Sequence, residues 1–254
     1  MNAFVRNITR IVAGLLAVAA ILHGPTTASG ASILWYNGDY DGRDTQVNQT
    51  LPTDGLIYEN FIVPTGFSFT ITSVFSNNFM GDPSVATTAA WEIRSGVSAG
   101  IGGTLLDSGD GADTLTLTGR SINVPPRTID EYTNSVNVNV TLGAGTYWLA
   151  VAPDVGNLPL FGPDSFIGTT SGANAVGSPP GNDGNSFFSS TFFGQSFVPT
   201  SDSTIEGPGT WDYSMGVVGT AVQTAVPEPS SFVLGLVGLV TSGGYVLARL
   251  CTPE

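Results

Sequence analysis

The side chains best suited to chemistry in this sequence are carboxylates and amides that alternate along one short stretch. In NGDYDGRD, Asn37, Asp39, Asp41 and Gly42 stand at positions 1, 3, 5 and 6 of a calcium-loop spacing. Asp44 adds one more carboxylate just beyond them. Alternate oxygens can converge on a hard cation, and a glycine permits the sharp turn that this needs. The pattern predicts a Ca²⁺ site with Asn37, Asp39, Asp41 and Asp44 as its ligands.

A second interpretation of this stretch stays open. The element before it is a predicted strand, and Asn48 stands where an EF-hand places a bidentate glutamate, so an EF-hand is excluded. Asparagine and aspartate are also typical of hairpin loops that are closed by their own side chains. The stretch DSGDGAD, which contains Asp107, Asp110 and Asp113, allows the same two interpretations.

The residue types that are missing limit the chemistry further. The one histidine is His23 and the one cysteine is Cys251, so residues 32–223 contain no histidine, cysteine or lysine. This excludes histidine-assisted serine hydrolysis, thiol catalysis, Schiff-base chemistry, ordinary zinc sites and disulfides in that part of the chain. Glycoside hydrolysis by a carboxylate pair survives as a remote alternative. The available glutamates stand in no recognisable motif, so we expect no enzyme; they are Glu59, Glu92, Glu131 and Glu206.

The charge balance excludes another class of function. The chain carries 20 acidic residues against 7 basic ones, a formal net charge of −13, and every basic residue is an arginine. A surface this acidic repels the phosphates of nucleic acids and attracts cations. We therefore expect no nucleic-acid partner.

The first 31 residues have the pattern of a secretory signal peptide. Arg6 and Arg10 form a positive region, and the uncharged, mostly apolar residues 11–22 follow. Small residues at Ser29-Gly30-Ala31 predict cleavage before Ser32. A short anchoring helix is the alternative, but twelve residues are too few to cross a hydrocarbon core of about 30 Å. We expect an exported chain.

A second apolar run lies near the C-terminus. Residues 230–248 contain no charge, and Arg249 follows them. At about 1.5 Å of rise per residue, nineteen helical residues are just long enough to cross a bilayer. The run predicts a transmembrane helix over about residues 230–248 that anchors an exported body.

The residues before this run suggest what happens to it. Pro227-Glu228-Pro229, then the apolar run, then Arg249, resembles the PEP-CTERM sorting signal of Gram-negative and related environmental bacteria. The resemblance implies recognition of the Pro-Glu-Pro motif by the membrane enzyme exosortase, removal of the helix, and delivery to the cell surface or the extracellular polymer matrix. Residues 224–254 are thus predicted to be a sorting signal.

Between the two signals, apolar residues recur with a period of two. Val136, Val138 and Val140 alternate with polar residues, and so do Phe67, Phe69 and Ile71, each in a pattern typical of half-buried strands. About nine such segments, separated by Gly, Pro, Asn or Asp, predict that residues 32–223 form an antiparallel two-sheet β-sandwich of jelly-roll type. The segment 153–197 breaks the alternation and is expected to be a long loop, with its phenylalanines pinning it to the core.

The body also has a family resemblance. LWYNGDYDGRD, DGLIYENFIVP, GTYWLAVAP and WDYSMGVVGT resemble the extracellular β-sandwich body of many uncharacterised PEP-CTERM proteins. The resemblance implies a non-catalytic surface or matrix role, associated with exopolysaccharide or the cell surface. A carbohydrate-binding module with a calcium-braced loop is the alternative, and it requires exposed aromatic rings. The candidates are Trp35, Tyr36, Trp91, Tyr147, Trp148 and Trp211.

Overall fold

A computed structural model describes residues 30–156, 165–181, 183–202 and 211–224. The predicted signal peptide, the Pro-Glu-Pro motif and the C-terminal apolar run lie outside these residues. In the described part of the chain, every strand falls between Ser32 and Gln223.

The described residues form two antiparallel sheets, which confirms the all-β, sandwich-like fold. In the eight-stranded sheet, the long strand β4 (Phe67–Met80) pairs with β8 (Arg127–Leu142), β14 (Met215–Gln223) and β10 (Ser165–Thr170). That sheet consists of β1 (Ser32–Tyr36), β2 (Tyr40–Val47), β4 (Phe67–Met80), β7 (Thr114–Val124), β8 (Arg127–Leu142), β10 (Ser165–Thr170), β13 (Asp212–Tyr213) and β14 (Met215–Gln223). The six-stranded sheet has the order β12 (Gln195–Pro199), β11 (Ser186–Ser190), β3 (Gly55–Val63), β9 (Gly145–Asp154), β5 (Thr88–Ser95) and β6 (Thr104–Ala112).

Alternation along the strands decides which side chains enter the core. In β8, Val136 and Val140 are buried while Asn137 and Asn139 are exposed, as the period of two predicts. The inner faces of both sheets contribute to one apolar cluster, in which the rings of Trp35 and Phe61 lie 5.6 Å apart. Burial of these side chains is the main force that holds the sheets together, since the body contains no cysteine.

The expectation of a long loop over residues 153–197 is wrong. The structure places β10, β11 and β12 within this segment. Most residues of β10 and β11 are buried, including Phe187 and Phe188 of β11. A strand that is covered on both faces does not alternate, so the period of two could not reveal these strands.

The chain enters and leaves the described body at the same end of the sandwich. Ser32 of β1 pairs with Gly219, and Gln223 of β14 pairs with Phe67, the first residue of β4. Loops 64–66 and 143–144 connect the two sheets at this end, where Val63 pairs with Gly145. We call it the exit end, and we call the opposite end, where β4 finishes at Met80, the far end.

Asp113 alone connects β6 of one sheet with β7 of the other. Its carboxylate oxygens are shielded from solvent. This burial raises the pKa of Asp113 to about 6, although the backbone amides of Ser135 and Thr114 act in the opposite direction. The charged form is therefore disfavoured in the folded state.

We expect Asp113 to weaken the fold as the pH rises. The folded-state pKa of Asp113, about 6, lies above the ordinary value of 3.8. Its contribution to the free energy of unfolding is therefore fully present below pH 4 and is lost as the pH rises through 6. Asp113→Asn should therefore raise the melting temperature more at pH 8 than at pH 4. Thermal melts of the body 32–223, which contains every described strand, would measure this. The exposed Asp110→Asn is the control, and equal shifts of Asp113→Asn at both pH values would contradict the account.

Candidate functional site

The four predicted calcium ligands do not lie in one loop. Asn37 and Asp39 belong to the connection between β1 and β2, whereas Asp41 and Asp44 lie within β2 itself. Strand β2 pairs with β10, so Asp41 and Asp44 occupy an edge of the eight-stranded sheet. The sequence could not show this, because β10 lies in the segment that was expected to be a loop.

Asn37 points into the protein. Its side chain is only 2% exposed, and its Nδ2 donates hydrogen bonds to Glu59 Oε2 (3.1 Å) and to the carbonyl oxygen of Tyr213 (3.2 Å). Glu59 Oε1 accepts a further bond from the backbone amide of Tyr213 (2.6 Å). Complete burial raises the pKa of Glu59 well above its ordinary value, and the neighbouring carboxylates of Asp212 and Asp183 act in the same direction. Asn37 therefore belongs to a buried polar network that joins the two sheets.

Asp39 has three different partners. Its oxygens accept hydrogen bonds from the Tyr36 hydroxyl (2.6 Å) and from Asn174 Nδ2 (2.7 Å), and Arg120 lies 3.0 Å away. Partial burial acts to raise the pKa of Asp39, but these bonds and the charge of Arg120 hold it below its ordinary value. Asp39 is thus stabilised in its charged form by the protein itself.

Asp41 and Asp44 are held in a third place. Asp41 accepts hydrogen bonds from Thr169 Oγ1 (2.8 Å) and Arg43 Nε (2.6 Å). Asp44 Oδ1 accepts one from the backbone amide of Thr45 (2.8 Å). In the described part of the chain, no group of three or more His, Cys, Asp or Glu side chains could hold a metal ion. The Ca²⁺ site stays a prediction, and a cation there would compete with Arg43 and Arg120 for the carboxylates.

The three carboxylates of the second acidic stretch do not lie in one place either. Asp107 and Asp110 are exposed on β6, while Asp113 lies at the crossing to β7. Asp107 Oδ1 accepts a hydrogen bond from the backbone amide of Ser108 (2.9 Å). The three carboxylates thus lie in two different environments.

Arg120 is the centre of an arrangement that the sequence did not reveal. Its guanidinium binds Glu131 through Nε and Asp39 through Nη1. Glu131 is completely buried, and Thr118 Oγ1 donates a second hydrogen bond to the same carboxylate (2.6 Å). The register of β7 against β8 shifts between Leu117 and Ser121, and this irregularity contains Arg120. Only the pairing of the two strands could have predicted the contact.

A polar network continues from Asp39 across the sheet. The Tyr36 hydroxyl, which donates to Asp39, also accepts a hydrogen bond from Asn77 Nδ2 (3.1 Å). Asn77 Oδ1 in turn accepts one from Thr133 Oγ1 (2.7 Å). Arg120 and this network tie the β1–β2 connection to β4, β7 and β8. We call Arg120, Asp39 and Glu131 the arginine clasp.

The aromatic candidates for a binding platform are mostly buried. The exposed fractions of Trp35, Tyr36, Trp91 and Trp148 are 8% or less. Tyr147 and Trp211 are half-buried, and Arg43 lies 4.9 Å from the centre of the Trp211 ring. These six rings thus form no pair of exposed platforms of the kind that a carbohydrate-binding module uses.

The six-stranded sheet has a shallow depression of about 190 Å³. Ala90 and Ala150 contribute small side chains to its lining, and Glu92 and Asp110 contribute carboxylates. Glu92 Oε2 is already bound by Arg94 Nε (2.6 Å) and by the Tyr58 hydroxyl (2.8 Å). Glu92 therefore acts here as the partner of Arg94 in an ion pair, and a glycosidase stays only a remote alternative.

The sorting residues Pro227, Glu228, Pro229 and Arg249 lie outside the described residues. Within the described ranges, no helix is long and apolar enough to span a bilayer. No family of known proteins matches the chain, and no curated protein matches it. Its function is therefore inferred from its own sequence and structure.

We expect the arginine clasp to support the fold. Arg120→Gln would leave Glu131 buried without its cation, and breaking such a buried pair costs about 3 kcal/mol. For a domain of this size, the melting temperature should fall by about 6–12 °C. The exposed Arg127→Gln should change it little, and Arg120→Met/Glu131→Gln should recover part of the loss. If Arg120→Gln melts at the same temperature as the unmodified body, the arginine clasp does not support the fold.

The calcium hypothesis can be tested against the arginine pairing. A cation at the predicted site must displace Arg43 from Asp41 and Arg120 from Asp39, and the body should then melt at a higher temperature in millimolar calcium than in excess chelator. Equal melting temperatures in the two conditions would refute the site. A ligand that binds only the folded state would add about 2.7 kcal/mol at a hundredfold excess over its dissociation constant. A rise in calcium that disappears in Asp39→Asn/Asp41→Asn would establish the predicted site. A rise that persists there would place the ion elsewhere.

Proposed function

We propose that the chain is an exported β-sandwich protein that is first anchored in a membrane and then sorted to the cell surface or the extracellular matrix. The observation that carries this proposal is the order of residues at the C-terminus. Pro227-Glu228-Pro229 is followed by nineteen uncharged residues and then by Arg249. The partner that this order implies is an exosortase-type processing enzyme.

The proposal includes the finer organisation of the chain. Residues 1–31 act as the signal peptide, residues 32–223 form an extracellular sandwich of jelly-roll type, and residues 224–254 act as the sorting signal. The described strands fit this division, since they begin at Ser32 and end at Gln223. The N-terminal signal and the transmembrane segment are helices in this proposal.

The proposed role of the body is non-catalytic. The support is chemical, because residues 32–223 contain no histidine, cysteine or lysine. Glu59 and Glu131 are completely buried and hydrogen-bonded to neighbouring groups. The body presents a folded surface that associates with exopolysaccharide or with the cell envelope.

Processing should depend on the Pro-Glu-Pro motif. We expect Glu228→Ala to leave the chain inserted in the membrane but uncleaved, because the motif is the part that exosortase recognises and the apolar run is unchanged. Pulse–chase labelling of membrane and surface fractions would measure the ratio of the long to the short form.

The matched control is Ser231→Ala, which lies just beyond the motif and should be processed normally. If Glu228→Ala does not change the ratio of long to short forms, exosortase sorting is wrong while the membrane anchor can still be right.

A further inference from the structure

The two loops of the exit end and the strand ends next to them contain no charged residue. Residues 30–34, 61–70, 140–148 and 219–224 contain no Asp, Glu, Lys or Arg. Both loops at this end, 64–66 and 143–144, consist of Pro, Thr, Gly and Ala. The nearest basic side chain on β5, Arg94, is paired with Glu92. The exposed Asp107 lines a depression together with Gly143 and Tyr147, so this end is poor in charge rather than free of it.

The far end has the opposite character. Strands β4 and β9 finish there, β3 begins there, and the β7–β8 hairpin extends beyond Met80, which pairs with Asp130. The connections and strand ends in this region contain several charged side chains. They include Asp39, Asp54, Asp82, Arg127, Asp130 and Asp154. Charge is thus distributed unequally along the strand direction.

Apolar side chains are exposed towards the exit end. Ile33 is 45% exposed, Phe67 is 37% exposed and Val222 is 48% exposed. They come from β1, β4 and β14, which are neighbours in the eight-stranded sheet. Exposed apolar groups on a surface with few charges lower the cost of contact with an apolar or interfacial environment.

The position of the last strand limits how far this end can lie from the C-terminal apolar run. The backbone amide of Thr224 donates a hydrogen bond to Gly66 (2.8 Å), so the chain is fixed to loop 64–66 up to this residue. Ser230, where the uncharged run begins, follows six residues later. Six extended residues span at most about 22 Å. A body with this short connection is confined close to any membrane that holds the run.

We propose that the exit end, formed by loops 64–66 and 143–144 with the adjoining ends of β1, β4 and β14, rests on the surface of the lipid bilayer. This inference rests on the proposed membrane anchor and adds the orientation of the body. Anionic headgroups repel an acidic protein, and the repulsion is weakest when the end with the fewest charges faces the lipid. The acidic far end then points away from the membrane, towards the extracellular polymer.

The orientation can be measured with fluorescent labels on the full chain. The chain has one cysteine, so Cys251→Ser provides a background for single labelling sites. Thr65→Cys and Ala144→Cys place an environment-sensitive dye on the two exit-end loops. Thr128→Cys, exposed on the β7–β8 hairpin, is the far-end control. The labelled proteins are reconstituted into vesicles of phosphatidylcholine and anionic phosphatidylglycerol, collected by flotation, and compared with and without lipids that carry a quencher at headgroup depth.

We expect the quencher lipids to reduce emission at residues 65 and 144 and to leave emission at residue 128 unchanged. Vesicles that float with the protein but quench none of the labels, or only the label at 128, would overturn the orientation while leaving the anchor intact. If emission at residues 65 and 144 changes with protein concentration but not with quencher lipid, the exit end contacts a second copy of the chain and the orientation on the membrane is wrong. Failure of the protein to float would refute the anchor, and the orientation with it.

Discussion

The pairing of β4 with its neighbours is the constraint on which the rest of the molecule depends. Its inner side chains, such as Ile71 and Val74, enter the core, while Asn77 on the opposite face joins the network that reaches Tyr36 and Thr133. Successive side chains of a strand point to opposite faces, so a shift of one residue would move the apolar set out of the core and place the polar set in it. The register of β4 therefore determines both the core and the polar network next to the arginine clasp.

This register also explains how an acidic body without lysine neutralises its buried charge. Arg120 can reach Glu131 and Asp39 together because β7 pairs with β8, β8 pairs with β4, and β14 joins β1 to β4. Arg43 and Arg94 form ion pairs with Asp41 and Glu92 in other parts of the sheets. Arginine is suited to this role because its charge persists and its planar group binds more than one acceptor. Arg43, Arg94 and Arg120 thus act as structural residues of the body.

The same topology connects the fold to the proposed function. The first and last strands of the body begin and end at the same end of the sandwich. In the proposed function, this arrangement lets the body extend away from the membrane that holds its C-terminal anchor. Few charges lie at that end and many acidic groups lie at the other, so charge is distributed unequally along the strands. In the proposed function, the acidic far end faces away from the membrane.

The sequence was sufficient for the fold class but not for the contacts. Strands with one exposed face, such as the end of β8 around Val136 and Val140, were predicted because their alternation is visible. Strands β10 and β11 were missed because most of their residues are buried. The sequence predicts one loop over residues 37–44, but this region contains the start of β2. Strand β2 was missed because its partner, β10, lies in the segment that was expected to be a loop. Arg120 and Glu131 belong to no recognisable motif, and their contact depends on the pairing of β7 with β8, whose register is irregular at Arg120.

The central claim is that residues 32–223 form a self-contained exported body and that the residues after them attach it to the membrane. The most direct measurement is the cellular distribution of a chain that ends at Gln223, compared with the full chain by fractionation and by thermal melting of the recovered protein. The account predicts that the shortened chain is exported, soluble and cooperatively folded, while the full chain first appears in the membrane fraction. A shortened chain that still sediments with membranes, or a full chain that stays in the cytosol, would contradict it.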